Sequence, residues 1–282
     1  MARPAEVAGF GYWSGRDVRV RFRPAPPDAG VVFLRRDLPQ PALISATVEN
    51  RIEAPRRTNL SAGGQTVEMV EHILAALAGM QIDNCEVSLD AAEAPGCDGS
   101  SLAFVAALRE AGAVEQPALR KQLVVTEVVR VGDGDCWVEA APSRGGEFVL
   151  RYRLDYGSDS PIGRETLELA VTPASFVREL ASARTFLLRS EAEWLRSQGL
   201  GTRAGYGDLL VFGEEGPIEN ELRFENECVR HKTLDLLGDL ALAGCDIVGR
   251  ITAHRSGHRQ NADLVRALRV EGKILDGRRR SA

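Results

Sequence analysis

The sequence contains no run of about 18 apolar residues, so no segment is expected to cross a bilayer as a helix. Cysteine is sparse. Cys85, Cys97, Cys136, Cys228 and Cys245 are the five present, and no two form a Cys-x-x-Cys pair. An odd, scattered set is neither a disulfide framework nor a cysteine zinc site, and it fits a reducing compartment. The N-terminal MARPAEVAGF lacks the apolar core of a secretory leader, so a cytoplasmic protein is expected. Positive charge is not in excess. A net charge of −5 argues against a non-specific nucleic-acid binder, which needs a basic surface. The short Gly277-Arg278-Arg279-Arg280 stretch reads as a solvated end. With 44% hydrophobic and 27% charged residues, what remains is an ordinary globular chain, and 282 residues suffice for two domains.

Histidine is also scarce, and its placement is informative. The four residues His72, His231, His254 and His258 all lie in short polar settings within apolar sequence. The stretch Glu225 to Gly244, ENECVRHKTLDLLGDLALAG, is long enough for a helix of about five turns. Its apolar residues fall on every side of the wheel, which predicts a buried helix. Yet His231, Asp235 and Asp239 stand at successive i, i+4 steps and form one ladder along it. Buried carboxylates are costly unless paired or metal-bound. From this helix alone, a metal site and an internal ion-pair network are both open.

The rest of the chain reads as two rounds of strands followed by helix, strand and helix. Val18 to Pro24, Gly30 to Arg36 and Leu43 to Ile52 have strand character. The Phe10 to Gly15 segment is a glycine-aromatic loop. A helix is expected over Val67 to Met80, a strand over Ile82 to Asp90, and a helix over Leu102 to Gly112, with Asp98 and Ser100 as turn and cap residues. On the first helix, spacing leaves two pairings open for His72: Glu68 one turn away, or Glu71 beside it. The proline-containing Val114 to Arg120 marks the expected boundary between domains 1–117 and 118–282. A hairpin around Gly132 to Asp135, strands over Glu147 to Tyr156 and Glu165 to Val171, and short helices at Pro173 and at Glu191 to Ser197 follow. A glycine-rich irregular region with one short strand precedes the buried helix. Cys245 to His258 is expected to be a strand that delivers His254 and His258 to its end. Asn261 to Val270 closes the chain as a helix. The fold class is therefore α+β: two similar domains, each a mainly antiparallel sheet layered with helices.

If His72, His231 and Asp235 come together, two imidazoles and a carboxylate make a zinc-type site with a position open for water. Glu71 beside such a site is placed to act as general base, and His258 held by Asp239 as general acid. Thr185 or a backbone N–H is a candidate oxyanion donor. Together these describe amide hydrolysis.

VEHILAALAGMQIDN (Val70 to Asn84), DGSSLAFV (Asp98 to Val105), SARTF (Ser182 to Phe186), FENECVRHKTLDLLGDL (Phe224 to Leu240) and SGHRQN (Ser256 to Asn261) resemble the zinc-dependent UDP-3-O-acyl-N-acetylglucosamine deacetylases of lipid A synthesis. The resemblance runs in order over nearly the whole chain. It implies two α+β domains packed face to face with the active site between them, and a small sugar-nucleotide substrate; a monomer is expected. It implies zinc on His72, His231 and Asp235, a donor set that also accepts iron(II), with Glu71 as base, His258 as acid oriented by Asp239, and Thr185 at the oxyanion. It selects Glu71 over Glu68. Phe186 would pack on the sugar and Lys232 would meet the diphosphate. An apolar passage for the acyl chain would correspond to about 199–216. The chain departs from the family pattern at Gly9 to Gly15, which has no histidine. It departs again at Met69, where the family has threonine, and at Arg56 to Leu60, where the family has an apolar and cysteine run.

Overall fold

The structure, a computed structural model, describes residues 1–276. The Gly277 to Arg280 stretch lies outside the described residues. The N-terminal part forms β1 (Ala5–Phe10), β2 (Asp17–Pro24), β3 (Val31–Arg35), β4 (Leu43–Ser45), β5 (Arg51–Ile52), β6 (Asn59–Ala62), β7 (Gln65–Val67), α1 (Glu71–Gly79), β8 (Cys85–Leu89) and α2 (Leu102–Ala111). Beyond it come β9 (Lys121–Val124), β10 (Val129–Asp133), β11 (Cys136–Ala141), β12 (Phe148–Asp155), β13 (Arg164–Ala170) and α3 (Pro173–Glu179). Then follow β14 (Phe186–Leu188), α4 (Arg189–Ser197), β15 (Leu210–Gly213), β16 (Gly216–Pro217) and α5 (Glu227–Leu240). The last described elements are β17 (Asp246–His254), α6 (His258–Glu271) and β18 (Lys273–Asp276).

Two large sheets share one design. The first runs β1-β2-β8-β3-β4, and the second runs β10-β11-β17-β12-β13. Each holds a parallel pair at the equivalent place, β3 with β8 and β12 with β17, among otherwise antiparallel neighbours on that path. In each, one helix precedes the returning strand and another follows it. Strands β9 and β18 extend the second sheet along β17. The strict alternation of burial along β2 and β17 shows why these sequences form half-buried strands: every second side chain enters the core. The equivalent helices α1 and α5 pack on each other, α2 covers β1, and α5 covers β12 and β13. The layers are thus sheet, helices, helices, sheet, an α+β arrangement with the helices inside.

Three expectations are corrected. The first helix begins at Glu71, four residues later than Val67, because Gln65–Val67 pairs with β6 and Met69 adopts φ 58°, which no helix interior tolerates. The Leu43 to Ile52 strand is broken by a single 3₁₀ turn at Val48–Asn50. The Cys245 to His258 strand ends at His254, and His258 instead opens α6.

Candidate active site

Helix α5 is buried along nearly its whole length, His231, Asp235 and Asp239 included. A glycine explains how it reaches α1. A Cβ added at Gly238 would stand 2.1 Å from the Glu71 carbonyl oxygen, so the two helix backbones touch there. That contact sets the α5 ladder against the first turn of α1, where Glu71 and His72 sit. The segment before β14 is pinned to the start of α5 by a buried ion pair, Arg184 Nε donating to Glu227 Oε1 at 2.8 Å.

Among the described residues, His72, His231 and Asp235 form a group able to hold a metal ion, one donor atom from each lying within 4.8 Å of the others. Nε2 of His72 and of His231 stand 3.5 and 3.4 Å from Asp235 Oδ1. The imidazoles meet edge to face at 5.1 Å between centroids. His231 Nδ1 lies 3.2 Å from the Ala183 carbonyl, which accepts only from an N–H, so the lone pair is left on Nε2. Burial pushes the His231 imidazole down to about 4, which keeps it neutral at pH 7. Burial opposes charge on Asp235, yet the His231 imidazole and the Lys232 ammonium hold its carboxyl well below the usual carboxylate range. Lys232 Nζ donates to Asp235 Oδ2 at 2.9 Å. A neutral imidazole lone pair beside a carboxylate is the donor chemistry a divalent cation takes.

Glu71 is 3% exposed, and burial raises its pKa while nearby His258 and His72 oppose the rise. Its Oε2 accepts from the Thr58 N–H at 3.0 Å. His258 Nδ1 donates to Asp239 Oδ2 at 2.8 Å. Burial works against charge on this imidazole too, but Asp239 outweighs it and His258 is pushed up to about 9. Thr185 Oγ1 stands 3.3 Å from His231 Nε2 and donates to the Gly99 carbonyl at 3.0 Å.

Glu71, His72, Thr185, His231, Asp235 and His258 face a cavity of about 460 Å³, and Asp239 lies behind them. Phe186 and Lys232 line it as well. Phe186 meets His231 edge to face at 6.1 Å and Tyr156 at 5.8 Å. Away from the histidines the walls turn apolar: Met69, Leu187, Leu195, Leu200, Leu209 and Val211. Tyr12 joins them from the glycine-aromatic loop, and Gly96 makes the room, since a Cβ there would lie 2.1 Å from the Tyr12 ring. The Tyr12 hydroxyl reaches the carbonyls of Asp208 and Cys97. At the mouth, Arg56 Nη2 donates to Glu191 Oε1 at 2.8 Å.

Two candidates lie elsewhere. His254 stacks against Trp137 at 5.8 Å on the second sheet and does not line the cavity. Glu68 pairs with Arg57 at 3.2 Å, and of the two carboxylates that spacing left open, Glu71 is the one at the cavity. Asp98 accepts from the Ser100 N–H and hydroxyl, and Ser100 Oγ accepts from Leu102 N–H, as a turn and cap should. Thr58 and Asn261 were not singled out from sequence, although both hydrogen-bond to Asp239. Asn261 lies within the quoted SGHRQN motif; no spacing rule points to Thr58. Tyr156, beside Phe186 in the cavity wall, had only strand character to mark it.

Two like sheets with a helix-borne His-His-Asp group able to hold a metal ion between them are the architecture of a candidate metalloprotein. The model of the UDP-3-O-acyl N-acetylglycosamine deacetylase (LpxC) family matches residues 1–270, and the chain belongs to that family. It is similar to three proteins named UDP-3-O-acyl-N-acetylglucosamine deacetylase. That of Anaeromyxobacter sp. (strain Fw109-5) is 38% identical over 270 residues, which cover 95% of this chain and 87% of the relative. That of Myxococcus xanthus (strain DK1622) is 37% identical over 284 residues, covering 99% and 90%. That of Cellvibrio japonicus (strain Ueda107) is 38% identical over 272 residues, covering 95% and 88%. No helix among the described residues is long and apolar enough to cross a membrane.

Proposed function

We propose that the chain hydrolyses the N-acetyl amide of UDP-3-O-acyl-N-acetylglucosamine and releases acetate, the committed step of lipid A synthesis, in the cytoplasm. The observation that carries this reading is a His-His-Asp set beside a buried carboxylate and a carboxylate-held imidazole, at one end of a largely apolar cavity. His72, His231 and Asp235 would hold zinc, and the same donors accept iron(II). A cation held there supplies polarisation of the amide carbonyl and a water acidic enough to lose a proton near neutral pH.

The chain's own groups do the rest. Glu71 takes the proton of the attacking water as the carbon–oxygen bond forms. Thr185 turns its hydroxyl from the Gly99 carbonyl toward the developing oxyanion. His258, still protonated at neutral pH, gives its proton to the amine nitrogen as the carbon–nitrogen bond breaks. Asp239 keeps that imidazole oriented. Phe186 packs on the sugar, Lys232 meets the diphosphate, and the apolar walls between 199 and 216 take the acyl chain. Domains 1–117 and 118–282 each bring part of this set.

A second reading, the same chemistry on another acylated amino sugar, draws on the Arg56–Glu191 pair at the cavity mouth. Acetate release from UDP-3-O-(hydroxyacyl)-N-acetylglucosamine tests the first. Turnover by metal-replete protein, lost on chelation and in Asp235→Ala, is the expected result. No turnover with a metal still bound at one per chain would reject the substrate, and a panel of N-acetylated sugars would then decide the second.

A further inference from the structure

Asp239 is fully buried, and three donors converge on its carboxylate. His258 Nδ1 and Asn261 Nδ2 both donate to Oδ2 at 2.8 Å. The Thr58 hydroxyl donates to Oδ1 at 2.5 Å. Ser256 Oγ donates to Asn261 Oδ1 at 2.8 Å, which fixes the amide with its NH₂ toward Asp239. Thr58 itself is fully buried and sits just before β6, and its Oγ1 also stands 3.2 Å from His258 Nδ1 at the start of α6. Its backbone is equally committed. The N–H donates to Glu71 Oε2 at 3.0 Å, and the carbonyl accepts from Val70 N–H at 3.1 Å at the entry to α1.

One side chain position therefore touches both proton-handling groups. Taking the assignment of Glu71 as base and His258 as acid, we propose that Thr58 is a positioning residue for the reaction: it sets the Glu71 carboxylate through its N–H and the Asp239–His258 pair through its hydroxyl, with Asn261 completing the clamp. The physical reason is the absence of solvent. An exposed aspartate that loses a donor replaces it with water, but a buried one is left with an oxygen that has no partner. Asp239 then rotates toward its remaining donors, and the imidazole turns with it. The hydroxyl acts on orientation in the reaction step and does not reach the cavity, so substrate binding is left as it was.

The test is acetate release by four forms: wild type, Thr58→Val, Thr58→Ser and His258→Ala, with Thr58→Val also placed in the His258→Ala background. Thr58→Val keeps shape and backbone N–H and removes the hydroxyl. The expected result is a kcat lower by about 10-fold or more, as for other outer-shell partners, an unchanged KM and recovery in Thr58→Ser. In the His258→Ala background the same change should cause no further loss, because its effect runs through His258. Wild-type kcat in Thr58→Val, a loss that serine does not recover, or an additive loss in the double variant would overturn the proposal. Should Thr58→Val fail to fold, Asn261→Ala in both backgrounds makes the same comparison from the other oxygen. Full activity in His258→Ala would instead reject the acid assignment beneath it.

Discussion

Glu71 and His258 are both buried among charged partners, and burial disfavours charge on each, but only at His258 do the partners outweigh it. Burial holds the glutamate toward its neutral form, while Asp239 holds the imidazole toward its charged one. Glu71→Gln should keep the metal content of the purified protein and lower kcat by about 10²- to 10⁴-fold, the span of general base contributions. The sign of the pH effect on His258 follows from its raised pKa. An acid must carry its proton, so activity is present below the folded-state value and falls as pH rises through about 9. A pH profile of kcat/KM should show that alkaline limb. Asp239→Asn removes the charge that raised it, and the limb should move to lower pH. Some of this was readable in the chain, since His231, Asp235 and Asp239 stand one turn apart. Thr58 was not, because a threonine between two short strands carries no periodic signal and its partner lies 181 positions away.

At the scale of elements, the site depends on how closely α1 and α5 approach. Gly238→Ala would raise intrinsic helix propensity by about 1 kcal/mol. The added methyl would also collide with the Glu71 backbone, and overpacking costs about 1–3 kcal/mol, toward the upper end where the atoms struck are backbone. The collision wins, so the melting midpoint should fall and metal affinity with it. Gly238→Ser should be worse than alanine. The α5 helix was legible from its apolar wheel, but its glycine reads in sequence only as a weak helix position. The start of α1 differs from the periodic pattern for a comparable reason. Val67 to Met80 has helical periodicity throughout, and nothing local in Met69 announces a left-handed backbone. The Asn59 side chain accepts from Met69 N–H at 3.2 Å, a tertiary contact that overrides the periodicity. His258 likewise belongs to a helix start, because Arg255 takes φ 51° and ends the strand that its apolar alternation suggests.

The whole molecule repeats one sheet-and-helix design, and the equivalent helices α1 and α5 supply His72 on one side and His231 with Asp235 on the other. A cation held by this set would tie the two layers together. Metal saturation at 100 times the dissociation constant should therefore add about 2.7 kcal/mol to unfolding free energy. Chelation should lower the melting midpoint of the wild type and leave that of Asp235→Ala unmoved. The repeated order of elements was visible in sequence as a weak pattern. The strand order that makes it a true repeat depends on pairings between distant segments, and those are invisible to local periodicity.

The segment after α4 is fastened to the N-terminal loop and the strands flanking it by four contacts. Arg203 Nη1 donates to Asp17 at 2.7 Å and to the Gly15 carbonyl at 2.9 Å, its guanidinium covers Phe10, and the Tyr12 hydroxyl reaches the Asp208 carbonyl. These contacts tie the wall proposed to take the acyl chain to the N-terminal loop, so loosening them is expected to ease the passage of an apolar tail in both directions. Arg203→Ala should accelerate both rates in stopped-flow measurements while leaving their ratio, the affinity, nearly constant.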